Sequence, residues 1–223
     1  MRHVATYIAI ASLTLAIVSC GDSNNNSKSH TANIEANEKG AEQETLSPSF
    51  DCSAVSNARI ESMICQQPEL AQLDNQLNKV YQQALNKAGS ISTELKATQR
   101  GWLKGRNDCW KNNNKRQCIK KSYQRRTAEL QARYRLVDSV GQLRLICNNN
   151  PQNEFIVTFF NTDPRTLIAE RVDQTSLMYN VVSASGAKYQ GQNEIFWEHQ
   201  GEVRITWGYQ APELTCQKSS FTH

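Results

Sequence analysis

The chain has 223 residues and a formal charge of +4, a length that allows one or two ordinary domains. The charge is uneven: residues 51–140 hold 16 basic and 8 acidic side chains, whereas residues 141–223 hold 6 and 8. A basic middle and a mildly acidic end point to two domains with different surroundings. The four histidines, at 3, 30, 199 and 223, stand apart from the seven cysteines, and no C-x-x-C pair occurs. No metal and no cofactor is therefore expected.

Residues 1–19 read as an export signal, because a short polar start (Arg2, His3) precedes a nearly all-apolar run too short for a comfortable membrane span. Ile17, Ser19 and Cys20 resemble the bacterial lipobox, in which the cysteine is lipidated and becomes the new N-terminus. That resemblance implies an envelope lipoprotein held on a membrane and facing the periplasm or the cell surface; the outer membrane is a separate expectation, since sorting between the two bacterial membranes is not read from the lipobox. Residues 20–49 have few large apolar side chains and are expected to form a disordered tether. Flexible-coil scaling sets the folded part roughly 30 Å from the bilayer. The remaining cysteines (52, 65, 109, 118, 147 and 216) form an even set in an oxidising compartment, the pattern of disulfides.

Between residues 50 and 140 the apolar period is helical. Leu70, Leu73, Leu77, Val80, Tyr81 and Ala84 follow the i, i+3/i+4 rhythm behind Pro68, which suits a first helical turn. A second helix starts at a Ser92 cap and carries Leu95, Gln99, Trp102, Leu103 and Arg106. A third carries Ile119, Tyr123, Leu130 and Tyr134, and a short one before Cys65 carries Val55, Ala58 and Ile64. Two disulfides would staple this bundle, and Cys52, Cys65, Cys109 and Cys118 admit three connectivities. The order and spacing of Cys52, Ile64-Cys65, Pro68-Glu69-Leu70, Leu73-Asp74, Gln99-x-x-Trp102-Leu103-x-x-Arg106-x-x-Cys109, Cys118 and Tyr123-x-x-Arg126 resemble the LprI-type lysozyme-inhibitor domain over about residues 51–135. Asp74, Gln99 and Arg106 fall on inward faces and read as a buried polar network rather than a catalytic set. The run 100–135 holds twelve basic residues against Asp108 and Glu129. It reads as a solvated face or as a contact for anionic envelope polymers; nucleic acid is not an expected partner for an exported chain.

From residue 141 to 223 the period becomes two. Strands are expected at 143–147, 154–160, 166–170, 176–182, 187–189, 194–199, 202–207 and 213–216, broken by Asn-Pro, Asp-Pro and Gly. Short, closely spaced strands suggest a small antiparallel barrel or sandwich, with Trp197 and Trp207 in its core. Cys147 and Cys216, near the first and last strands, are expected to pair, a closure worth about 4 kcal/mol in the chain-entropy treatment. Residues 183–203 form two extended runs around a polar loop, with an exposed cluster of Ser185, Lys188, Tyr189 and Gln190.

Cys147, Phe155-x-Val157-x-Phe159, Ser183-x-Ser185-Gly186-x-x-Tyr189, Phe196-Trp197 and Cys216 together resemble the membrane-bound inhibitor family of c-type lysozyme. The resemblance implies an eight-stranded barrel whose loop at residues 185–189 plugs the lysozyme cleft, so the fold class is α+β, a helical bundle followed by a barrel. It also implies a lysozyme-binding set of Ser185, Gly186, Lys188, Tyr189 and His199. Ser185 would bond one catalytic carboxylate, and Tyr189 would support the loop or line the contact. The family's F-W-x-K-G element is not kept: without a gap, Phe196-Trp197-Glu198-His199-Gln200 places His199 at the lysine position, whereas a one-residue shift restores Gly201 but places Gln200 there. An imidazole is fully cationic only below its reference pKa of about 6.5, so inhibition is expected to strengthen as pH falls from about 8 to 6. The leading expectation is a lipid-anchored inhibitor of c-type lysozyme that blocks a cleft and is not an enzyme. The runner-up is a non-inhibitory lipoprotein that touches anionic surface polymers through its basic helices.

Overall fold

A computed structural model describes residues 46–56 and 59–220. The export signal, Cys20, most of the tether, Ala58 and His223 lie outside them. Four helices form first: α1 (Ile60–Gln66), α2 (Pro68–Ala88), α3 (Ser92–Asn107) and α4 (Lys115–Arg133). Gln67 is extended and Pro68 opens α2, a position where the missing N–H costs nothing. Gly89 ends α2 with φ +51°, and a single 3-10 turn, Gly89–Ile91, leads into α3. Ser92 is thus the first helical residue and not a cap. At α4 the Asn114 side chain accepts from the Gln117 backbone N–H at 3.0 Å, which satisfies one of the free donors of the first turn.

The expected helix through Val55 is corrected, because α1 begins only at Ile60. Upstream, Asp51 accepts from the Ser53 backbone and hydroxyl at 2.9 and 2.8 Å, and the Val55 N–H bonds to the Cys52 carbonyl. These turn bonds compete with a helix for the same backbone groups. The end of the tether is also held: Pro48 is buried, and Ser49 donates from its N–H and hydroxyl to Asp74 at 2.7 and 2.5 Å. Ile64, Leu70, Leu77, Leu95, Ile119, Tyr123 and Leu130 form the bundle core. Disulfides Cys52–Cys65 and Cys109–Cys118 select one of the three possible connectivities.

Eight antiparallel strands then close into a barrel in simple chain order. They are β1 (Ser139–Cys147), β2 (Asn150–Phe160), β3 (Thr166–Arg171), β4 (Gln174–Val181), β5 (Ala187–Gln190), β6 (Glu194–His199), β7 (Glu202–Trp207) and β8 (Glu213–Ser219). Closure leaves no open sheet edge. Phe155, Val157, Leu167, Met178, Phe196, Val203 and Ile205 fill the interior at alternate positions. Cys147 and Cys216 are register partners where β1 meets β8, and they are disulfide-bonded.

The bundle and the barrel belong to one compact unit, residues 44–223. Ala128 and Ala132 of α4 pack on Phe160, Ile168, Leu177 and Tyr179, the outer side of β2–β4. Two alanines let the helix approach closely. The Tyr179 hydroxyl donates to the Arg125 carbonyl at 3.3 Å, and burial pushes its phenol up to about 12.

Candidate functional site

The loop at residues 182–186 joins β4 to β5, and the Gln200-Gly201 turn joins β6 to β7. Antiparallel order puts both connections at the same end of the barrel. Gly186 makes the approach possible. Its φ is +72°, and a Cβ built on it would lie 2.0 Å from the Glu198 carbonyl oxygen and 3.1 Å from the His199 Cα. Only a residue without a side chain can sit there. Ser185 and His199, fourteen positions apart in sequence, are brought together by this backbone contact.

Two donors hold the Ser185 carbonyl: the Ser183 hydroxyl at 2.7 Å and the Trp197 indole N–H at 3.1 Å. The Ser185 side chain is exposed, and its hydroxyl bonds to no other described residue. The loop is therefore fixed through its backbone while its hydroxyl stays available.

Around it lies a ladder of aromatic and cationic groups. Trp197 pairs across the sheet with Lys188 on β5 and Arg204 on β7. The Lys188 ammonium lies 5.9 Å and the Arg204 guanidinium 5.8 Å from the indole centroid. His199 stacks on the same indole at 5.4 Å with an interplanar angle of 17°. Trp197, His199, Gln200, Glu202 and Arg204 enclose a hollow of 170 Å³. Arg204 is committed to Glu202 at 2.6 Å and Glu213 at 3.4 Å, and Glu198 to Lys218 at 2.6 Å. Lys188 makes no ion pair among the described residues, so its charge is the unneutralised one on this surface.

Two expectations are corrected here. Tyr189 is not part of an exposed cluster: it is 7% exposed and touches Phe159 and Phe196 edge-on, with centroids 5.8 and 6.1 Å away. Burial pushes its phenol above the ordinary value. Trp197 does not join the barrel core but occupies the opposite side of β6 from Phe196, whereas Trp207 does pack against the core. Alternation carries the signal for both: with Phe196 inside, Trp197 must face out, and the two-residue turn places Arg204 opposite it. Arg204 was the neighbour that sequence reasoning missed.

The bundle holds a second polar cluster. Asp74 accepts from the Tyr123 hydroxyl at 2.8 Å, and Arg106 donates to Tyr123 at 2.7 Å and to Glu61 at 2.8 Å. Asn107 completes it by donating to Glu61 at 2.7 Å. Arg106 is 3% exposed, and its guanidinium also lies 5.6 Å from the Trp102 centroid. Gln99 belongs to a separate set, accepting from Arg126 at 2.9 Å. Every charged member is partnered, as a tolerated buried network requires.

Residues 52–130 match the family described as lysozyme inhibitor LprI, and residues 146–214 match the family described as membrane-bound lysozyme-inhibitor of c-type lysozyme. Among curated proteins, lipoprotein LprI of Mycobacterium tuberculosis and that of Mycobacterium bovis are each 30% identical over 176 residues, covering 78% of this chain and 86% of the relative. Among solved structures, Pseudomonas aeruginosa MliC in complex with hen egg white lysozyme is 26% identical, with a TM-score of 0.29, over 37% of this chain and 83% of that one. Because the mycobacterial LprI lipoproteins are matched at 30% identity along 86% of their length, this chain belongs to the LprI family of lysozyme-inhibitor lipoproteins.

Proposed function

We propose that this protein inhibits c-type lysozyme by presenting the barrel end that carries Ser185 and His199 to the enzyme's cleft. The observation that carries the reading is the locked loop: a twice-held Ser185 carbonyl, a Gly186 pressed on Glu198, and a free Ser185 hydroxyl between them. A lysozyme cleft works with two carboxylates. A hydroxyl donor and a cation offered in a desolvated cleft would occupy both and exclude substrate. Ser185 supplies the donor. Lys188, cross-strand from Trp197, supplies the positive charge that the family lysine would otherwise carry, and His199, stacked on the same indole, adds an imidazole N–H. Tyr189 supports β5 from within the core. Nothing in this action needs the protein to do chemistry.

Family membership and the Cys20 pattern together support an envelope protein held by a lipid, with the inhibitor at the end of its tether. The test is a lysozyme lysis assay titrated with protein beginning at Gly21. Inhibition at micromolar protein is expected, weakened at least tenfold by Ser185→Ala, since a buried hydrogen bond to a charged group contributes about 1.5–3 kcal/mol. No inhibition by the wild type would reject the function; unchanged inhibition by Ser185→Ala would reject the contact loop.

A further inference from the structure

The loop closed by Cys109–Cys118 carries an indole and three cations on one solvated tip of the bundle. Trp110 is 61% exposed, and the Lys111 ammonium lies 5.6 Å from its ring centroid. Lys115 and Arg116 of the same disulfide-closed loop are also exposed, and residues 109–118 contain no acidic side chain. The neighbouring acids only partly offset this charge: Asp108 pairs with Lys111 at 2.8 Å, and Glu69 serves Arg116 and Lys120. Lys115 has no ion pair among the described residues. On its other side Trp110 shares a 240 Å³ hollow with Arg59, Ile60, Glu61 and Asn107.

Slack in the chain does not explain the exposure. Cys109 is buried, the Asn112 N–H bonds to the Cys109 carbonyl at 3.0 Å, and the Asn114 N–H bonds to the Asn112 side chain at 2.8 Å. Asn114 in turn caps α4. A backbone held at both ends, with the largest apolar side chain of the loop left in water, is a surface waiting for a partner.

We infer that this tip is a membrane-contact surface whose partner is a bilayer bearing anionic phosphate headgroups. A soluble polyanion would satisfy the cations and leave the indole in water. A membrane surface satisfies both, because an indole settles at the headgroup level with its ring among acyl chains and its N–H hydrated. The cations are drawn to the negative leaflet over the same few ångströms. The inference uses no residue of the barrel end and stands apart from the inhibitor reading.

The test uses protein beginning at Gly21, which keeps the whole compact unit, with phosphatidylcholine vesicles prepared with and without phosphatidylglycerol. Binding is expected only to the anionic vesicles. Lipids brominated in their chains should quench part of the emission, and Trp110→Phe should abolish that quenching although three other tryptophans remain. The double variant Lys111→Ala/Lys115→Ala should lower partitioning about 25-fold, the product of about fivefold per basic residue near an anionic surface. Both positions are exposed, and unchanged circular dichroism would verify the fold. Equal binding to neutral vesicles, undiminished quenching in Trp110→Phe, or unchanged partitioning of the double variant would overturn the inference. So would capture by a soluble polyanion with no quenching by vesicles, which would assign the cations to a polymer.

Discussion

Gly186→Ala separates the geometry of the barrel end from the chemistry of its side chains. Two costs combine. Holding alanine in the left-handed region, where Gly186 has φ +72°, costs about 1–2 kcal/mol. The new methyl would also stand 2.0 Å from the Glu198 carbonyl oxygen, well inside the 3.0 Å below which such contacts are essentially not found. Since the obstacle is backbone, no side-chain rotation relieves it, and overpacking of this kind adds about 1–3 kcal/mol. The sum of about 2–5 kcal/mol predicts a fall in Tm of about 5–15 °C for a unit of this size. If the loop swings away instead, the Trp197 and Ser183 bonds to the Ser185 carbonyl break, and inhibition is lost with a smaller fall in Tm. Gly201→Ala is the control: its φ is +83°, but nothing lies within 4 Å of the added methyl, so only the conformational cost applies. Thermal melts and lysozyme titrations of the two variants give the answer. If Gly186→Ala matched Gly201→Ala in both Tm and inhibition, the close approach of the two connections would be refuted.

Tyr189→Ala is expected to cost about 3–5 kcal/mol, as for other large aromatics removed from a core; lost inhibition with an unchanged melting curve would make Tyr189 a contact residue instead. Arg106→Ala should destabilise the bundle by about 3 kcal/mol in urea unfolding, because Glu61 and Tyr123 lose a shared partner, and Arg106→Lys should recover only part of it. An effect under about 0.5 kcal/mol, typical of a surface site, would contradict the network. Burial raises the Glu61 carboxyl, but hydrogen bonds from its own backbone and Asn107, with the Arg106 charge, outweigh that and hold it below 4.5. A lowered folded value means stability present above the unfolded value and lost as pH falls through the folded one. Wild type should therefore lose stability more steeply than Glu61→Gln below about pH 4.5, and equal slopes in acid unfolding would exclude this carboxylate as a source.

Local pattern alone settled much of this protein. Helical and two-residue periods marked helices followed by strands, and the strands at 194–199 and 202–207 were legible to the residue, because side-chain periodicity is a property of neighbours in sequence. The even set of six cysteines likewise marked the disulfides. Tertiary structure decided what periodicity cannot reach. Pairing among Cys52, Cys65, Cys109 and Cys118 depended on which Cα atoms come within bonding range, here 6.0 and 5.6 Å apart. The α4 pattern hid a second contact side, Ala128 and Ala132, because alanine is too small and too common in helices to signal burial. Tyr189 and Trp197 looked alike as aromatic strand residues, and only the closed register sent one into the core and left the other outside to carry Lys188, His199 and Arg204. The meeting of Ser185 with His199 rests on two connections sharing one end of a barrel, and that proximity exists only once the eight strands have closed.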